Sequence, residues 1–220
     1  MILAAGRGER MRPLTDTTPK PLLEVRGKAL IAWHLQALAR AGIHEVVINL
    51  AWLGGMIREA LGSGERFGLK LHYSQEPDGA LETGGGICQA LPWLGSEPFL
   101  VVNGDIFTAL DFGQLAIAPG ALAHLVLVPN PPQHPRGDFA LRGAEVLEDG
   151  PLRHTYAGVG VYRRELFAGC VAGRFPLLPL LRRAIAARRL HGQLYGGQWS
   201  DVGTAARLAA LNDPAAAPQR

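Results

Sequence analysis

The sequence has few cysteines and no long apolar run, and both absences narrow what the protein can be. Cys88 and Cys170 are its two cysteines, and neither lies in a C-x-x-C pair, so a zinc knuckle or a redox motif is not indicated. The first apolar run is too short for a membrane span, and no basic segment precedes it as in a secretory signal. We therefore expect reduced, packed thiols in a cytoplasmic protein with no membrane partner.

Basic and acidic residues nearly balance, with 22 lysines and arginines against 19 aspartates and glutamates. The 220 residues carry a net charge of +3 and no lysine-rich tail, which argues against a nucleic-acid partner, since such proteins present a strong basic patch. The seven histidines are scattered, and none lies beside a serine or cysteine motif for nucleophilic catalysis. With 48% hydrophobic residues and no linker long enough to separate domains, residues 1–220 are expected to form a single domain.

The two common glycine-rich phosphate motifs are missing as well. There is no G-x-x-x-x-G-K-[ST] run, and the segment that begins at Gly6 lacks the third glycine of G-x-G-x-x-G. Instead, a short apolar strand runs into a loop in which Gly6 and Gly8 permit a sharp turn and a close approach to a ligand. Backbone N–H groups in such a loop form an anion-binding concavity. A polyphosphate site is therefore predicted, with four cations beside it: Arg7, Arg10, Arg12 and Lys20.

Strand-length apolar runs alternate with amphipathic helical patterns, which predicts crossover units and a largely parallel sheet. Helices are expected at residues 29–41, 53–61, 83–91, 176–188 and 204–211. Strands are expected at residues 1–5, 45–49, 69–74, 99–103, 123–128, 139–141, 145–147, 155–162 and 190–195. Residues 1–110 have the pattern of a nucleotide-binding core, and residues 111–210 that of a substrate-binding part on the same sheet.

Two aspartates follow predicted strands. Asp105 ends an Asn-Gly-Asp run directly after the most hydrophobic strand, and Asp201 follows the strand at 190–195, just before a Gly-Thr pair that begins a helix. Ligands bind beyond the carboxyl ends of strands in an open parallel sheet, and Mg²⁺ takes one or two carboxylates together with phosphate oxygens. Asp105 is therefore a candidate Mg²⁺ ligand, and the alternative is that it only caps a turn.

Three motifs together resemble the signature of the sugar-phosphate nucleotidyltransferases. Leu3–Pro13 and Pro19–Pro21 match L-A-A-G-x-G-x-R-(M)-x-P followed by P-K-P, Asp105 stands in an x-G-D pattern, and Trp199–Thr204 matches W-x-D-[VI]-G-[TS]. The resemblance implies an α/β fold, a Rossmann-like three-layer sandwich with a mixed, mostly parallel central sheet and a small sugar-binding lid. It also implies that a sugar 1-phosphate attacks the α-phosphorus of a nucleoside triphosphate and that pyrophosphate leaves.

The resemblance also implies roles for individual residues. Asp105 and Asp201 would hold the catalytic Mg²⁺, Arg12 would meet the β- and γ-phosphates, and Lys20 would lie near the transferred phosphate and the sugar phosphate. Glu82 stands where the family has the first glycine of L-G-T-A-G in the base pocket. Contacts with the nucleotide are implied at Leu3, Ala5, Gly6, Arg7, Gly8, Glu76, Thr83 and Gly85.

Within the family, the compact chain resembles the branch that makes UDP-N-acetylmuramate from UTP and N-acetylmuramate 1-phosphate in peptidoglycan recycling. Leu81–Gly86, Val102–Asp105 and Arg136–Phe139 carry this likeness. The enzymatic alternatives are a glucose-1-phosphate thymidylyl- or uridylyltransferase, a mannose-1-phosphate guanylyltransferase and a cytidylyltransferase on the same scaffold. A nucleotide or sugar-phosphate sensor is the non-enzymatic alternative. Such a sensor would typically lack Lys20 or one of the aspartates. A monomer or a homodimer is expected.

Three residues are candidates for binding the sugar. Asn103 and Asp138 carry polar side chains suited to sugar hydroxyls, and Gly158 lies in a glycine-containing strand that a sugar can approach closely. The lactyl carboxylate of N-acetylmuramate requires a cationic partner, for which arginine is suited. Three arginines are candidates for it: Arg136, Arg142 and Arg153.

Overall fold

The structure is a computed structural model that describes residues 1–77 and 81–213. Its helices are α1 (Leu14–Thr17), α2 (Leu30–Arg40), α3 (Gly54–Leu61), α4 (Glu82–Leu94), α5 (Leu178–Ala186) and α6 (Ala205–Asn212). Its strands are β1 (Ile2–Leu3), β2 (Glu24–Val25), β3 (Lys28–Ala29), β4 (Glu45–Leu50), β5 (Lys70–Gln75), β6 (Phe99–Asn103), β7 (Ile106–Thr108), β8 (Ala123–Val128), β9 (Phe139–Arg142), β10 (Glu145–Leu147), β11 (Arg153–Tyr162), β12 (Leu190–Leu194) and β13 (Trp199–Asp201).

The chain divides into two compact units. Unit I comprises the described residues of Ile2–Ala80, Asn103–Gly113 and Gln198–Arg220, and unit II comprises Met1, Leu81–Val102 and Gln114–Gly197. Residues 81–102 therefore belong with much of the second half of the chain. The single domain over residues 1–220, with its division near residue 110, stays a prediction.

The strands of unit I pair across long stretches of sequence and surround the glycine loop. β4 lies between β1 and β5, and both pairings are parallel. β1 is shorter than the strand expected at 1–5, because its pairing with β4 ends at Leu3, opposite Asn49, and the chain then enters the loop. β7 and β13 form a separate antiparallel pair, in which Asp201 lies opposite Ile106. Sequence patterns miss β7 because a three-residue strand is defined only by its distant partner.

A hydrophobic cluster in unit I lies under three of the sequence motifs. Met11 comes from the glycine loop, Phe107 from β7, and Val202 from the residue after β13, and all three are buried in one cluster. Burial of side chains of this size stabilises a fold by about 1.5–3 kcal/mol each. The motifs, which lie far apart in sequence, thus share one core. The remaining buried members of this cluster are Leu23, Val25 and Leu30.

Unit II is dominated by antiparallel pairing. Its strands follow the order β6, β11, β8, β12, β10, β9; β11 pairs antiparallel with β6, β8 and β9, and β8 pairs parallel with β12. The register between β11 and β8 shifts between Tyr156 and Val159, which places Gly158, with φ +75°, in a β-bulge. The predicted α/β class and mixed sheet are confirmed. The antiparallel share is larger than an alternation of strands and helices indicates.

Most element positions agree with the sequence patterns. β6 and β8 have the predicted bounds, and α6 begins directly after Thr204, whose hydroxyl accepts a hydrogen bond from the Arg207 backbone N–H as an N-cap. α4 extends beyond its predicted end, through Pro92, and stops at Gly95, which has φ +73°. Local signals therefore located the elements well, and their ends depended on packing.

Candidate active site

The glycine loop is folded back on itself by one buried threonine. Gly8 has φ +68°, in the left-handed region that favours glycine, and the Met11 backbone N–H donates to its carbonyl at 2.9 Å. The Thr15 hydroxyl donates to the same carbonyl at 2.9 Å. A Cβ on Gly8 would lie 3.0 Å from Thr15 Cγ2, so this position has little room for a side chain. The sharp turn predicted for Gly8 is present.

Lys20 and Asp105, 85 residues apart, are in direct contact. The Lys20 side chain is only 8% exposed, and its Nζ donates to Asp105 Oδ2 at 2.6 Å. Lys20 begins a short 3-10 helix, Lys20–Leu22, whose residue Pro21 is buried. A nearly buried ammonium is stable only with a partner of opposite charge. The contact therefore fixes Lys20 beside the Asp105 carboxylate.

Asp105 is positioned by the backbone before it. The Gly104 N–H donates to the Leu3 carbonyl at 2.8 Å, and a Cβ on Gly104 would lie 2.6 Å from that carbonyl oxygen. Only glycine therefore lets this turn approach the end of β1. The Asp105 side chain is 42% exposed, so its carboxylate remains open to solvent although it contacts Lys20.

Asp201 reaches the same region through the pairing of β13 with β7. The Val202 N–H donates to the Asp105 carbonyl at 2.7 Å, so the two aspartates lie on adjacent, hydrogen-bonded segments. Asp201 Oδ1 is 2.9 Å from Arg207 Nη1, and the Asp201 side chain is 30% exposed. Gly203 allows this ion pair, because a Cβ there would collide with the Arg207 guanidinium.

Arg7 and Arg12 differ in how closely the protein itself binds their guanidinium groups. The Arg7 guanidinium donates to the Thr15 carbonyl and to Asp16 Oδ1, both at 2.9 Å, and its carbon lies 3.4 Å from the centroid of the Trp52 ring. The Arg12 side chain is 54% exposed, and its Nε lies 3.3 Å from Asp16 Oδ1. Arg12 is thus the more accessible of the two cations.

Glu76 acts on the loop through a residue that sequence reasoning missed. Glu76 is buried, and its Oε1 accepts a hydrogen bond from Asn49 Nδ2 at 2.6 Å. Asn49 Oδ1 in turn accepts from the Ala4 backbone N–H at 2.7 Å, where the chain leaves β1. A polar residue inside the apolar strand Glu45–Leu50 was the available signal, since buried polar groups are normally hydrogen-bonded.

Arg207 is a second missed residue. Its guanidinium contacts Asp201, its side chain is 20% exposed, and its Nε is buried without a hydrogen-bond partner in the described part of the chain. The signal in the sequence was an arginine on the first turn of the helix that follows Gly203 and Thr204. At that position the guanidinium can fold back towards Asp201.

The predicted base-pocket glycines lie in unit II and pack against the protein itself. Gly84 and Gly85 are buried, and a Cβ on Gly84 would meet Phe175, whereas one on Gly85 would collide with the Gly173 carbonyl. The Gly85 N–H donates to the Phe175 carbonyl at 3.0 Å. Because these two glycines have no side chains, the segment 173–175 can pack directly against them. The nucleotide contacts of Gly85 and its neighbour Thr83 stay predictions.

Asp138 is hydrogen-bonded to its own loop and to strand β11. Its Oδ1 is 3.0 Å from His134 Nε2, and its Oδ2 accepts from the Tyr156 N–H at 2.8 Å. Arg153 donates to the Asp138 carbonyl at 2.7 Å, and Arg142 pairs with Glu145. The structure thus brings Asp138 and Arg153 together. Arg136 is exposed, and Asn103, the last residue of β6, is half-buried.

Comparisons with known proteins show the family to which this chain belongs. A family model described as nucleotidyl transferase matches residues 1–139. The chain is 54% identical to the N-acetylmuramate alpha-1-phosphate uridylyltransferase of Neisseria meningitidis serogroup B (strain MC58), over 94% of both chains. It is 37% identical to the protein of the same name from Caulobacter vibrioides, over 96% of this chain and 94% of that one. The chain belongs to the nucleotidyl transferase family.

The fold of this nucleotidyltransferase also matches a solved structure. A Bacillus anthracis protein, assigned as a glucose-1-phosphate thymidylyltransferase and crystallised with sucrose, superposes with a TM-score of 0.84. The match covers 100% of this chain and 95% of that one at 21% identity, and so concerns the fold alone. The predicted family and fold class are therefore confirmed. Within the described residues, no helix is long and apolar enough to cross a membrane.

Nucleotidyltransferases generally use a divalent metal, and the carboxylates in unit I have the chemistry to hold one. Asp105 and Asp201 offer oxygen donors on adjacent segments, and both are partly exposed. Across residues 1–77 and 81–213, no group of three or more His, Cys, Asp or Glu side chains is placed to bind a metal. Two carboxylates with the remaining ligands from phosphates and water suit a hard ion. The carboxylates of Asp105 and Asp201 therefore suit a divalent metal ion.

His34, on α2, supports the turn that carries Asp105. It is fully buried and hydrogen-bonds to the Ile106 backbone, while its Nε2 has no partner in the described ranges. Burial lowers the His34 pKa from 6.5 to about 4, against the raising effects of the Ile106 hydrogen bond and the Asp105 charge. The neutral ring is therefore the form that the folded protein holds.

This depressed pKa predicts a loss of stability in mild acid. The unfolded chain binds a proton at His34 near pH 6.5, whereas the folded chain does so only near pH 4, so acid favours unfolding within that range. Between about pH 7 and about pH 5 the wild type should lose roughly 2 kcal/mol of unfolding free energy more than His34→Asn. Urea unfolding at both pH values measures the difference, and parallel pH dependences in the two proteins would contradict it.

Proposed function

We propose that this nucleotidyltransferase transfers UMP from UTP to N-acetylmuramate 1-phosphate and releases pyrophosphate, with UDP-N-acetylmuramate as product. The observation that carries the chemistry is the 2.6 Å contact of Lys20 Nζ with Asp105, beside the strand pair that holds Asp201. The choice of substrates is supported by the 54% identity to a protein named for them. This product suits the recycling of peptidoglycan.

The proposed reaction joins two anions, so its main requirement is positioning and neutralisation of charge. An oxygen of the sugar 1-phosphate bonds to the α-phosphorus of UTP, while the bond from that phosphorus to the pyrophosphate oxygen breaks. The electron pair of the broken bond stays on the pyrophosphate oxygen, so pyrophosphate leaves as an anion. No side chain has to form a covalent bond, in keeping with the scattered histidines and the absence of a nucleophile motif in the sequence.

Lys20 and Arg12 take different parts in this proposal. Lys20 is nearly buried and fixed by Asp105, so its charge is preorganised beside the phosphate that is transferred. The Arg12 side chain is more than half exposed, and its Nε lies 3.3 Å from one carboxylate oxygen of Asp16. It is therefore able to turn to the β- and γ-phosphates of an incoming triphosphate. Lys20 would act mainly on the chemical step, and Arg12 mainly on binding.

Asp105 and Asp201 would hold Mg²⁺ in this site. When bound there, the ion neutralises charge that builds up on the phosphate oxygens. Lys20 and Arg207 each contact one of the two carboxylates and so orient them. Asn49 and Glu76 hold the loop entrance at Ala4, which places the backbone of the nucleotide loop, including Leu3, Ala5, Gly6 and Gly8.

The same proposal gives roles to the protein residues that would bind the sugar. Asn103, at the end of β6, would offer its side-chain amide to sugar hydroxyls. Gly158, at the register shift of β11, stays a candidate for close approach of the sugar. Asp138 holds its loop through His134 and Tyr156, so its part in sugar binding would include ordering that loop. Thr83 and Gly85 would form part of the pocket for the uracil base.

Pyrophosphate release tests the proposed pair of substrates directly. Purified protein is assayed with UTP, dTTP, GTP and CTP, each against N-acetylmuramate, N-acetylglucosamine, glucose and mannose 1-phosphates. The highest kcat/KM is expected for UTP with N-acetylmuramate 1-phosphate. A preference for dTTP with glucose 1-phosphate or for GTP with mannose 1-phosphate would overturn the assignment in favour of that alternative. No turnover with any pair would instead favour a sensor.

N-Acetylglucosamine 1-phosphate, which lacks the lactyl ether, should be a distinctly poorer substrate with UTP. A site that pairs its polar groups with a substrate group loses as much as 10⁴-fold when that group is missing, because those groups stay unpaired. A hydrogen bond from an arginine that stays solvated would contribute less than this. We expect kcat/KM for N-acetylglucosamine 1-phosphate to be about 30-fold lower than for N-acetylmuramate 1-phosphate, since one charged hydrogen bond contributes about 2 kcal/mol. Equal kcat/KM values for the two sugars would contradict the muramate assignment.

The arginine that meets the lactyl group is found by comparing three variants on both sugars. Arg136→Ala, Arg142→Ala and Arg153→Ala are assayed beside Arg183→Ala, a matched control at an exposed position of α5. The responsible arginine, when replaced, should lower kcat/KM for the muramyl substrate alone. A uniform loss on both sugars would indicate damage to the fold, which is foreseeable for Arg153 because it bonds the Asp138 backbone.

A further inference from the structure

Trp52 stacks on the phosphate loop, although neither the family motifs nor the proposed mechanism gives it a role. It follows β4, the strand that pairs with β1 immediately before the loop begins. The Arg7 guanidinium carbon lies 3.4 Å from the centroid of the Trp52 ring, which is the distance of direct stacking. One face of the indole is therefore occupied by an arginine of the loop.

The polar groups of the stacked pair converge on one carbonyl. Trp52 Nε1 donates to the Thr15 carbonyl at 3.0 Å, and Arg7 Nη1 donates to the same oxygen at 2.9 Å. Arg7 Nη2 donates to Asp16 Oδ1 at 2.9 Å, and the Arg7 side chain is only 25% exposed. Both terminal nitrogens of Arg7 thus already bind the protein.

Thr15 transmits this hold to the turn of the loop. It is fully buried, and its hydroxyl donates to the Gly8 carbonyl at 2.9 Å. Asp16, bound by Arg7, also lies 3.3 Å from Arg12 Nε. The stacked pair is therefore connected at one end to the left-handed turn at Gly8 and at the other, through Asp16, to the exposed cation Arg12.

We propose that Trp52 is a positioning residue, which holds the phosphate loop in the shape that receives the triphosphate, and that Arg7 binds the loop rather than the phosphates. We call the four residues Trp52, Arg7, Thr15 and Asp16 the loop clamp. The inference rests on the proposed function, in which this loop takes the triphosphate. A glycine-containing loop is costly to order on binding, and a loop ordered beforehand avoids that cost.

The clamp makes a specific kinetic prediction. Trp52→Leu should raise the KM for UTP about tenfold, the effect of losing one cation–π contact and one hydrogen bond, while kcat and the KM for the sugar phosphate stay close to wild type. Trp52→Phe keeps a ring for stacking and loses the Nε1 donor, so its KM for UTP should lie between those of the wild type and Trp52→Leu. Trp93→Leu, at an exposed tryptophan of α4, is the matched control and should leave all three constants unchanged.

Trypsin cleavage between Arg10 and Met11 reports the order of the loop without any turnover. Met11 is fully buried, so this bond is cut only when the loop opens. Trp52→Leu should be cut there about tenfold faster than wild type, with unchanged cleavage outside the loop, when fragments are quantified by mass spectrometry. Equal rates in the two proteins, together with an unchanged KM for UTP, would overturn the clamp.

A double-mutant cycle distinguishes a clamp from a phosphate ligand. If Arg7 acts only within the loop clamp, the double variant should raise the KM for UTP no more than Arg7→Ala alone, because Arg7 and Trp52 then act as one unit. If Arg7 contacts the triphosphate itself, the losses of Arg7→Ala and Trp52→Leu should add. Additive losses would therefore overturn the inference.

Failure of the proposed function has its own signature. UTP with Mg²⁺ should protect the Arg10–Met11 bond of the wild type from trypsin. Without such protection, this loop is not the triphosphate site, whatever the variants do. With protection present, the comparison of Trp52→Leu with wild type decides the clamp alone.

Discussion

Asp105→Asn and Asp201→Asn are each expected to lower kcat by about a thousandfold, because a bound metal ion contributes several kcal/mol of transition-state stabilisation. Each change removes one negative charge from a site whose described residues offer two carboxylates and no third metal-binding side chain. Asparagine retains a carbonyl oxygen that Lys20 or Arg207 can still contact. The variants should therefore fold, and steady-state turnover of UTP with increasing Mg²⁺ measures the loss.

Asp149→Asn is the matched control, since Asp149 is exposed in unit II and caps the N–H of Gly150. It should keep wild-type turnover. Chelated wild-type protein should be inactive and recover when Mg²⁺ is restored. Near-normal Mg²⁺-dependent turnover in either site variant would show that its aspartate is not a metal ligand. Thermal unfolding of each variant separates a lost ligand from a lost fold.

Lys20→Met should lower kcat by about a hundredfold to a thousandfold, as removal of a preorganised charge at a reacting group does, with little change in the KM for UTP. Methionine fills the nearly buried space of the lysine stem but lacks the ammonium group, with its charge and its N–H donors. Asp105 then loses its partner, but it is 42% exposed and water can solvate it. Arg12→Ala, in contrast, should raise the KM for UTP, because the proposed function places Arg12 at the β- and γ-phosphates.

The control for this pair is Lys70→Met, at an exposed lysine that pairs with Glu45. It should leave both constants unchanged. Single-turnover measurements of the chemical step in Lys20→Met separate chemistry from product release. Purely KM-type losses of equal size in Lys20→Met and Arg12→Ala would contradict the division of roles between the two cations.

Local sequence signals determined the family, the loop and most of the elements. The glycine turn at Gly8, the apolar strand before Asp105 and the helix start at Thr204 depend on neighbouring residues, so patterns of a few residues predict them. The family motifs also depend on short runs of sequence. This is why the fold class and the nucleotidyltransferase assignment could be predicted from the residues alone.

Contacts between distant segments had to come from the tertiary structure. The 2.6 Å contact between Lys20 and Asp105 spans 85 residues, and the pairing that brings Asp201 beside it depends on β7, a strand too short to be recognised by itself. The hold of Asn49 on Ala4 likewise depends on the neighbouring strands. No local pattern encodes such distances, because they result from which strands pair.

Tertiary structure also decided what individual side chains are used for. From the sequence, Arg7 is one of four cations near a glycine loop, and only its stacking on Trp52 and its bonds to Thr15 and Asp16 distinguish it from Arg12. From the sequence, Gly85 is one of three consecutive glycines, and only the structure shows that the Gly173 carbonyl packs against it. Residue types and spacing therefore determined which chemistry the chain carries. Packing decided which charges stay open to a substrate, because a charge already bound by the protein is less available to a phosphate.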